Sequence, residues 1–128
     1  MSRRDWLHCA LVAVAVLTIA SGLVQVFATG FELRLLSSED TPTSVHFFAT
    51  VGMFMVVFGG ALLNALLSPV PQPMLVLWCA LQKVGACAAV AIGVVHHILS
   101  PLALLVAGFD LCSGILALWY WGRIRSAP

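Results

Sequence analysis

Apolar residues run nearly unbroken through long stretches of this chain, and polar residues collect at the joints between them. A helix rises ~1.5 Å per residue and a bilayer's hydrocarbon core is ~30 Å thick, so about 20 apolar residues cross it. Four stretches reach that length: about Trp6–Ala28, Val45–Leu67, Met74–His97 and Pro101–Gly122. The joints have local causes. Residues 68–73 read SPVPQP; the three prolines lack N–H donors and restrict the residue before each, so no helix continues through them. Ser100–Pro101 stops the third span and puts proline in the first turn of the fourth, where its missing donor is harmless. Links this short make neighbours antiparallel, so the second and third spans, and the third and fourth, should form helical hairpins. The connection 29–44 is the one polar segment of any length. Within it Phe31–Leu35 alternates apolar and polar, predicting an extended piece or an interfacial turn, and Thr43 or Ser44 is placed to cap the second span. The expected fold is all-α: a four-transmembrane-helix antiparallel bundle forming one domain over residues 1–128, with no internal repeat or low-complexity tract.

Composition agrees. The chain is 62% hydrophobic and 9% charged, against about 45–50% and about 25% in soluble domains. A formal net charge of +1 leaves no basic footprint for nucleic acid. The partner that composition does specify is the lipid bilayer. The first apolar run exceeds the 7–15 residues of a secretory h-region and no clear A-x-A site follows it, so it reads as a retained span. Arg3 and Arg4 before it, with Arg123 and Arg125 after the fourth span, put both termini on the cytoplasmic side of a cell (inner) membrane. Glu32, Glu39 and Asp40 against Arg34 suit the outer side. Trp6, Trp78, Trp119, Tyr120 and Trp121 then gather at the cytoplasmic interface as an aromatic belt. The four cysteines, Cys9, Cys79, Cys87 and Cys112, form no C-x-x-C pair and read as small apolar packing residues.

Positions three, four or seven apart share a helix face. In the first span Thr18, Ser21, Gly22, Gln25 and Thr29 fall together. In the second His46, Thr50, Met53, Val57, Gly60 and Asn64 do, and in the third Trp78, Gln82, Gly85, Ala89, Gly93 and His96. In the fourth the stripe is Ala103, Ala107, Asp110, Ser113, Gly114 and Ala117. Each span thus presents one small, polar face. The ordinary role of such faces is close helix packing with hydrogen bonds across the seam.

Of the charged residues, only Lys83 and Asp110 lie inside apolar segments. An ionisable side chain in hydrocarbon is expensive, which makes each a candidate functional residue. From the middle of the link after His97, Lys83 lies about 16 residues back and Asp110 about 11 forward, an axial offset of roughly 7–8 Å. Side chains lean toward their own helix N-terminus, so the two should diverge. Lys83 is therefore expected to snorkel to the cytoplasmic interface as a membrane anchor, and Lys83→Met and Asp110→Asn to act as independent lesions. Asp110 remains as the charged anchor of an outward polar pocket, with Gln25, His46, Thr50, Gln82, His96 and Ser113 as its other candidates.

Three functions fit these residues. The first is a non-enzymatic accessory subunit whose extra Gly and Ala faces serve a membrane-protein partner or a second copy. The second is a small-molecule carrier or binder using Asp110. The third is a redox protein holding haem, quinone or a metal at His46 and His96, whose imidazoles are competent ligands although no H-x-x-x-H or H-E-x-x-H is present. The absence of a catalytic signature favours a non-enzymatic role, and the sequence specifies no cofactor. Small multidrug exporters share this length and span count, but Trp6–Phe31 contains no acid where they carry their essential glutamate. The length, the polar loop after span one, the tight later hairpins and the polar patch Phe109-Asp110-Leu-Cys-Ser113-Gly114 resemble small four-span bacterial membrane proteins of the DoxX/BphX type. That resemblance implies the four-span architecture and assigns no catalytic residues.

Overall fold

In hydrocarbon every backbone N–H and C=O must find its partner within the chain, and a lone apolar segment does so only as a helix. The computed structural model describes residues 6–37 and 40–126, which form α1 (Trp6–Phe27), α2 (Thr29–Leu36), α3 (Pro42–Leu67), α4 (Pro73–Val95) and α5 (Ala103–Arg125). All except the eight-residue α2 are long and apolar enough to cross a membrane. The architecture is the expected all-α four-helix membrane bundle, and its long helices begin and end within a few residues of the expected limits.

The helix ends follow from local chemistry. Thr41, not Thr43 or Ser44, caps α3: its hydroxyl accepts from the Ser44 N–H at 3.2 Å, and Pro42 takes the first turn. Residues 31–35 are helical rather than extended, because Thr29 and Leu33, four apart, turn inward together as one face of α2. At the end of α4 the Ile98 N–H bonds the Gly93 carbonyl at 2.8 Å and the His97 N–H bonds the Val94 carbonyl at 3.0 Å. This is a Schellman ending with His97 in the left-handed position, at φ 60°. Glycine adopts that conformation without the Cβ clash, so His97→Gly should raise stability by about 1 kcal/mol, measured by equilibrium unfolding in mixed micelles.

The bundle is two tight pairs, α1 with α3 and α4 with α5, which touch each other more sparingly through α1–α5 and α3–α4. The hairpin of second and third spans is thus looser than the pairing of first and second. Glycine explains the difference: a Cβ on Gly22 would lie 2.7 Å from the Gly52 carbonyl oxygen, and one on Gly59 2.8 Å from Ile19 Cγ1. Only bare backbones permit that approach. In the other pair, Gly114 meets Val84 and the Lys83 stem in the same way.

One end of the bundle is filled by Leu7, Leu11, Ala15, Leu62, Leu66, Ala80 and Ala117. There Trp6 meets Trp119 edge-on with ring centres 5.5 Å apart. The buried imidazole of His8, which the sequence did not single out, lies with Nε2 2.9 Å from the Leu66 carbonyl in the last turn of α3. Arg3 and Arg4, on which the orientation rests, and Glu39 of the loop lie outside the described residues.

Two of the four predicted stripes face inward. In α5 the buried residues are Ala103, Ala107, Asp110, Ser113, Gly114 and Ala117, the predicted face. In α1 Thr18, Gly22 and Gln25 are buried, as is Thr29 just beyond it, while Ser21 is exposed at the stripe's edge. The other two stripes are corrected. Helix α3 buries Gly52, Gly59, Leu62, Ala65 and Leu66 in place of the His46–Asn64 stripe. Helix α4 buries Val76, Cys79, Ala80, Lys83 and Gly93; of the predicted face only Gly93 is buried, and Trp78, Gly85, Ala89 and His96 are exposed.

Candidate functional site

Away from the filled end the two pairs diverge around a cavity of about 480 Å³, within the roughly 300–1,000 Å³ of small-molecule sites. Its wall is largely apolar, with Phe48, Val51 and Met55 from α3 and Val90 from α4. The α1 and α5 parts of the wall include Leu17, Ser21, Leu105 and Val106, all exposed on the bundle surface, so the cavity opens sideways toward lipid. Helix α2 closes the adjacent end. Its Leu36 carbonyl accepts from the Ser100 N–H at 2.7 Å, and the Ser37 hydroxyl donates to the Ile98 carbonyl at 3.2 Å. These bonds tie α2 to the α4–α5 link.

The polar part of the wall is a charged network. Lys83 Nζ lies 3.2 Å from Asp110 Oδ1 and donates to Thr18 Oγ1 at 2.6 Å. The Thr18 hydroxyl in turn donates a hydrogen bond to the Val14 carbonyl at 2.8 Å, and the ammonium stands 5.1 Å from the centre of the Phe109 ring. All three polar residues are buried. A carboxylate, a hydroxyl and a ring face thus surround one ammonium, as an ion in low dielectric requires.

Lys83 is therefore not a snorkelling anchor. The offset from Asp110 is real: the Lys83 stem packs against Gly114, where a Cβ would lie 3.3 Å from Lys83 Cβ. Gly114 lies four residues beyond Asp110, or ~6 Å along the axis. The lysine's flexible four-carbon stem spans that distance, against its intrinsic lean, through space that the missing Gly114 side chain leaves open.

The remaining predicted site residues divide. Asp110, Gln25 and Gln82 line the cavity. Gln25 is held to the α1–α3 seam by donating from Nε2 to the Phe48 carbonyl at 2.8 Å. His46, His96, Thr50 and Ser113 do not line it. His46 is exposed and packs edge-on against Phe47, Thr50 donates back to the His46 carbonyl, and His96 is the exposed C-cap of α4. Ser113 is buried in the bundle outside the cavity wall. Sequence reasoning missed Thr18 as a wall residue, gave Lys83 the wrong role, and placed Glu32 at the outer mouth in a His/carboxylate cluster with Glu39 and Asp40, whereas Glu32 lines the cavity without His46, His96 or Asp40. Thr18 was visible as a member of the α1 stripe, and the helical fold of residues 29–36 is what turns Glu32 into the wall. Among the described residues no group of three or more His, Cys, Asp or Glu side chains is placed to hold a metal ion.

Two enclosed oxygens of wall residues, Glu32 Oε2 and Gln82 Oε1, accept no hydrogen bond from the described residues. Burial also pushes the Glu32 carboxyl above its ordinary value of 4.5. The folded state then holds this proton more tightly than the unfolded chain. Glu32 favours folding below the unfolded value and loses that contribution as pH rises through the raised folded value. In Glu32→Gln the same pH series of unfolding midpoints should lack this decline, and the variant should be more stable than the parent at neutral pH.

Four membrane-length helices make this a multi-pass integral membrane protein in contact with the lipid bilayer. Comparison of the chain with protein-family models, with curated proteins and with solved structures gives no match.

Proposed function

We propose that this small membrane protein binds an apolar small molecule taken from the bilayer, with both termini on the cytoplasmic side and the cavity in the outer half of the membrane. The observation that carries this is the cavity itself: a lipid-facing opening, apolar walls, and a few polar groups gathered on one part of the wall. Such a combination is typical of small-molecule sites. In this reading Asp110 contributes to the wall as half of an ion pair with Lys83 rather than as a free charged anchor. In lipid nanodiscs octanol should bind saturably above the level of protein-free discs. Ala86→Phe, which fills the cavity wall, should abolish this binding, and Ala88→Phe on the exposed face of α4 should not. Absence of saturable binding by the parent protein would remove the proposal.

A second reading, as an accessory subunit of the DoxX/BphX type, draws on the outer face of α4. Gly85, Ala88 and Ala89 are exposed there, and nothing lies within 4 Å of where a Gly85 Cβ would stand. Small residues facing lipid permit close approach of another helix. Co-purification of a membrane-protein partner in mild detergent, lost in Gly85→Leu, would support this role; its retention in that variant would dissociate the face from the partner.

A further inference from the structure

The charges around the cavity are unequal, and the inequality selects among ligands. The titratable groups in its wall are Glu32 from α2, Lys83 from α4 and Asp110 from α5; α1 and α3 contribute none. Lys83 and Asp110 neutralise each other. The Lys83 ammonium also has Thr18 and the Phe109 ring as partners, so among the described residues the cavity wall holds no free cation for an anionic head group. Arg34, the basic residue of α2, is exposed and pairs with Asp40 at 3.4 Å. What remains is acceptor capacity, in the enclosed oxygens of Glu32 and Gln82 that no donor of the described residues reaches. The terminal torsions of Glu and Gln are broad, so small rotations present either oxygen to the cavity.

A bound carboxylate or phosphate would meet Glu32 and Asp110 with no unpaired cation to offset them. A neutral alcohol would satisfy one acceptor and leave the charge of Glu32 as it was. A protonated amine supplies three donors and the missing positive charge together. We propose that the cavity takes up a lipophilic primary amine, its ammonium received by Glu32 with Gln82 as a further acceptor and its apolar part lying along Phe48, Met55 and Val90. The proposal rests on the small-molecule role above. When the carboxyl is protonated beforehand, uptake of the ammonium ion displaces that proton to solvent: one cation enters, one proton leaves, and no covalent bond changes apart from the carboxyl O–H. Cation uptake by this site is therefore linked to proton release.

The test compares octylamine, octanol and octanoate, of equal chain length, against the full chain in lipid nanodiscs by titration calorimetry, with protein-free discs subtracted. Octylamine should bind about tenfold more tightly than octanol, the difference between a charge-assisted and a neutral hydrogen bond. Octanoate should bind more weakly than either. At acidic pH the octylamine enthalpy should vary with the ionisation enthalpy of the buffer, which reports the released proton. Glu32→Gln should remove both the amine preference and the buffer dependence, and an unfolding midpoint at neutral pH no lower than the parent's shows that the variant is folded. Equal binding of amine and alcohol, or tighter binding of octanoate, would overturn the amine assignment and leave the cavity's binding role standing. Failure of all three to bind the parent protein would overturn both.

Discussion

Replacing Lys83 with methionine should destabilise the protein by about 3–5 kcal/mol, and replacing Asp110 with leucine should do about the same. Each change removes one charge and leaves the other buried in a low-dielectric bundle, where an unpaired ion is costly. The double variant should be far less damaged than the sum of the two, because it leaves no charge behind. Its apolar side chains would occupy the space beside Gly114, which already accommodates a lysine stem. The expected coupling therefore exceeds 1 kcal/mol by a wide margin, the reverse of what diverging side chains predict. Unfolding free energies of the four proteins in mixed micelles give the coupling directly, and additive effects would mean that the pair seen at 3.2 Å contributes no net interaction. Thr18→Val should lie between these extremes, since it removes one acceptor from the ammonium and leaves the carboxylate in place.

The α1–α3 seam should be the other sensitive element. Gly22→Leu and Gly59→Leu force side chains into space held by the Gly52 carbonyl and by the α1 backbone at Ala15 and Ile19. Overpacking costs about 1–3 kcal/mol when side chains can shift. Here backbone stands in the way, so the upper part of that range or beyond is expected, with the two helices pushed apart. Gly60→Ala and Gly85→Ala make the contrast, because nothing lies near either Cβ position. These should gain up to about 1 kcal/mol from higher helix propensity. The same unfolding series tests all four, and a mild effect at Gly22 or Gly59 would mean that α1 and α3 are not held by close backbone contact.

How much of this was legible depends on which property marks the inward face. The spans were legible because length and apolarity alone set them, and the prolines at 69, 71, 73 and 101 fixed their limits. In α1 and α5 the inward face is also the polar one, so Thr18, Gln25 and Asp110 disclosed it. Polarity fails in α3, where His46, Thr50 and Asn64 lie outside the buried face and the real seam is selected by size at Gly52 and Gly59, seven residues apart. In α4 the buried face runs through Val76, Cys79, Ala80 and Lys83, at offsets of three, four and seven. Gln82, one residue away, drew the predicted stripe about 100° around the helix. The cavity was legible only in pieces, because its wall combines residues from five helices whose relative rotation no single stripe specifies.

The positions of the three network residues along the chain bear on how the protein enters a membrane. Thr18 is made first, Lys83 follows by 65 residues, and Asp110 comes 27 later. Helix α4 therefore reaches the bilayer ahead of the helix that carries its carboxylate. A central charge costs roughly 2.5–3.5 kcal/mol during insertion, a deficit that the apolar remainder of α4 has to carry. The hydroxyl of Thr18 on the already inserted α1 is available to receive that ammonium early, and Asp110 completes the set when α5 arrives. A nascent chain stalled before α5 would hold an uncompensated lysine in lipid, which makes the last helix the step that commits the bundle to its final form.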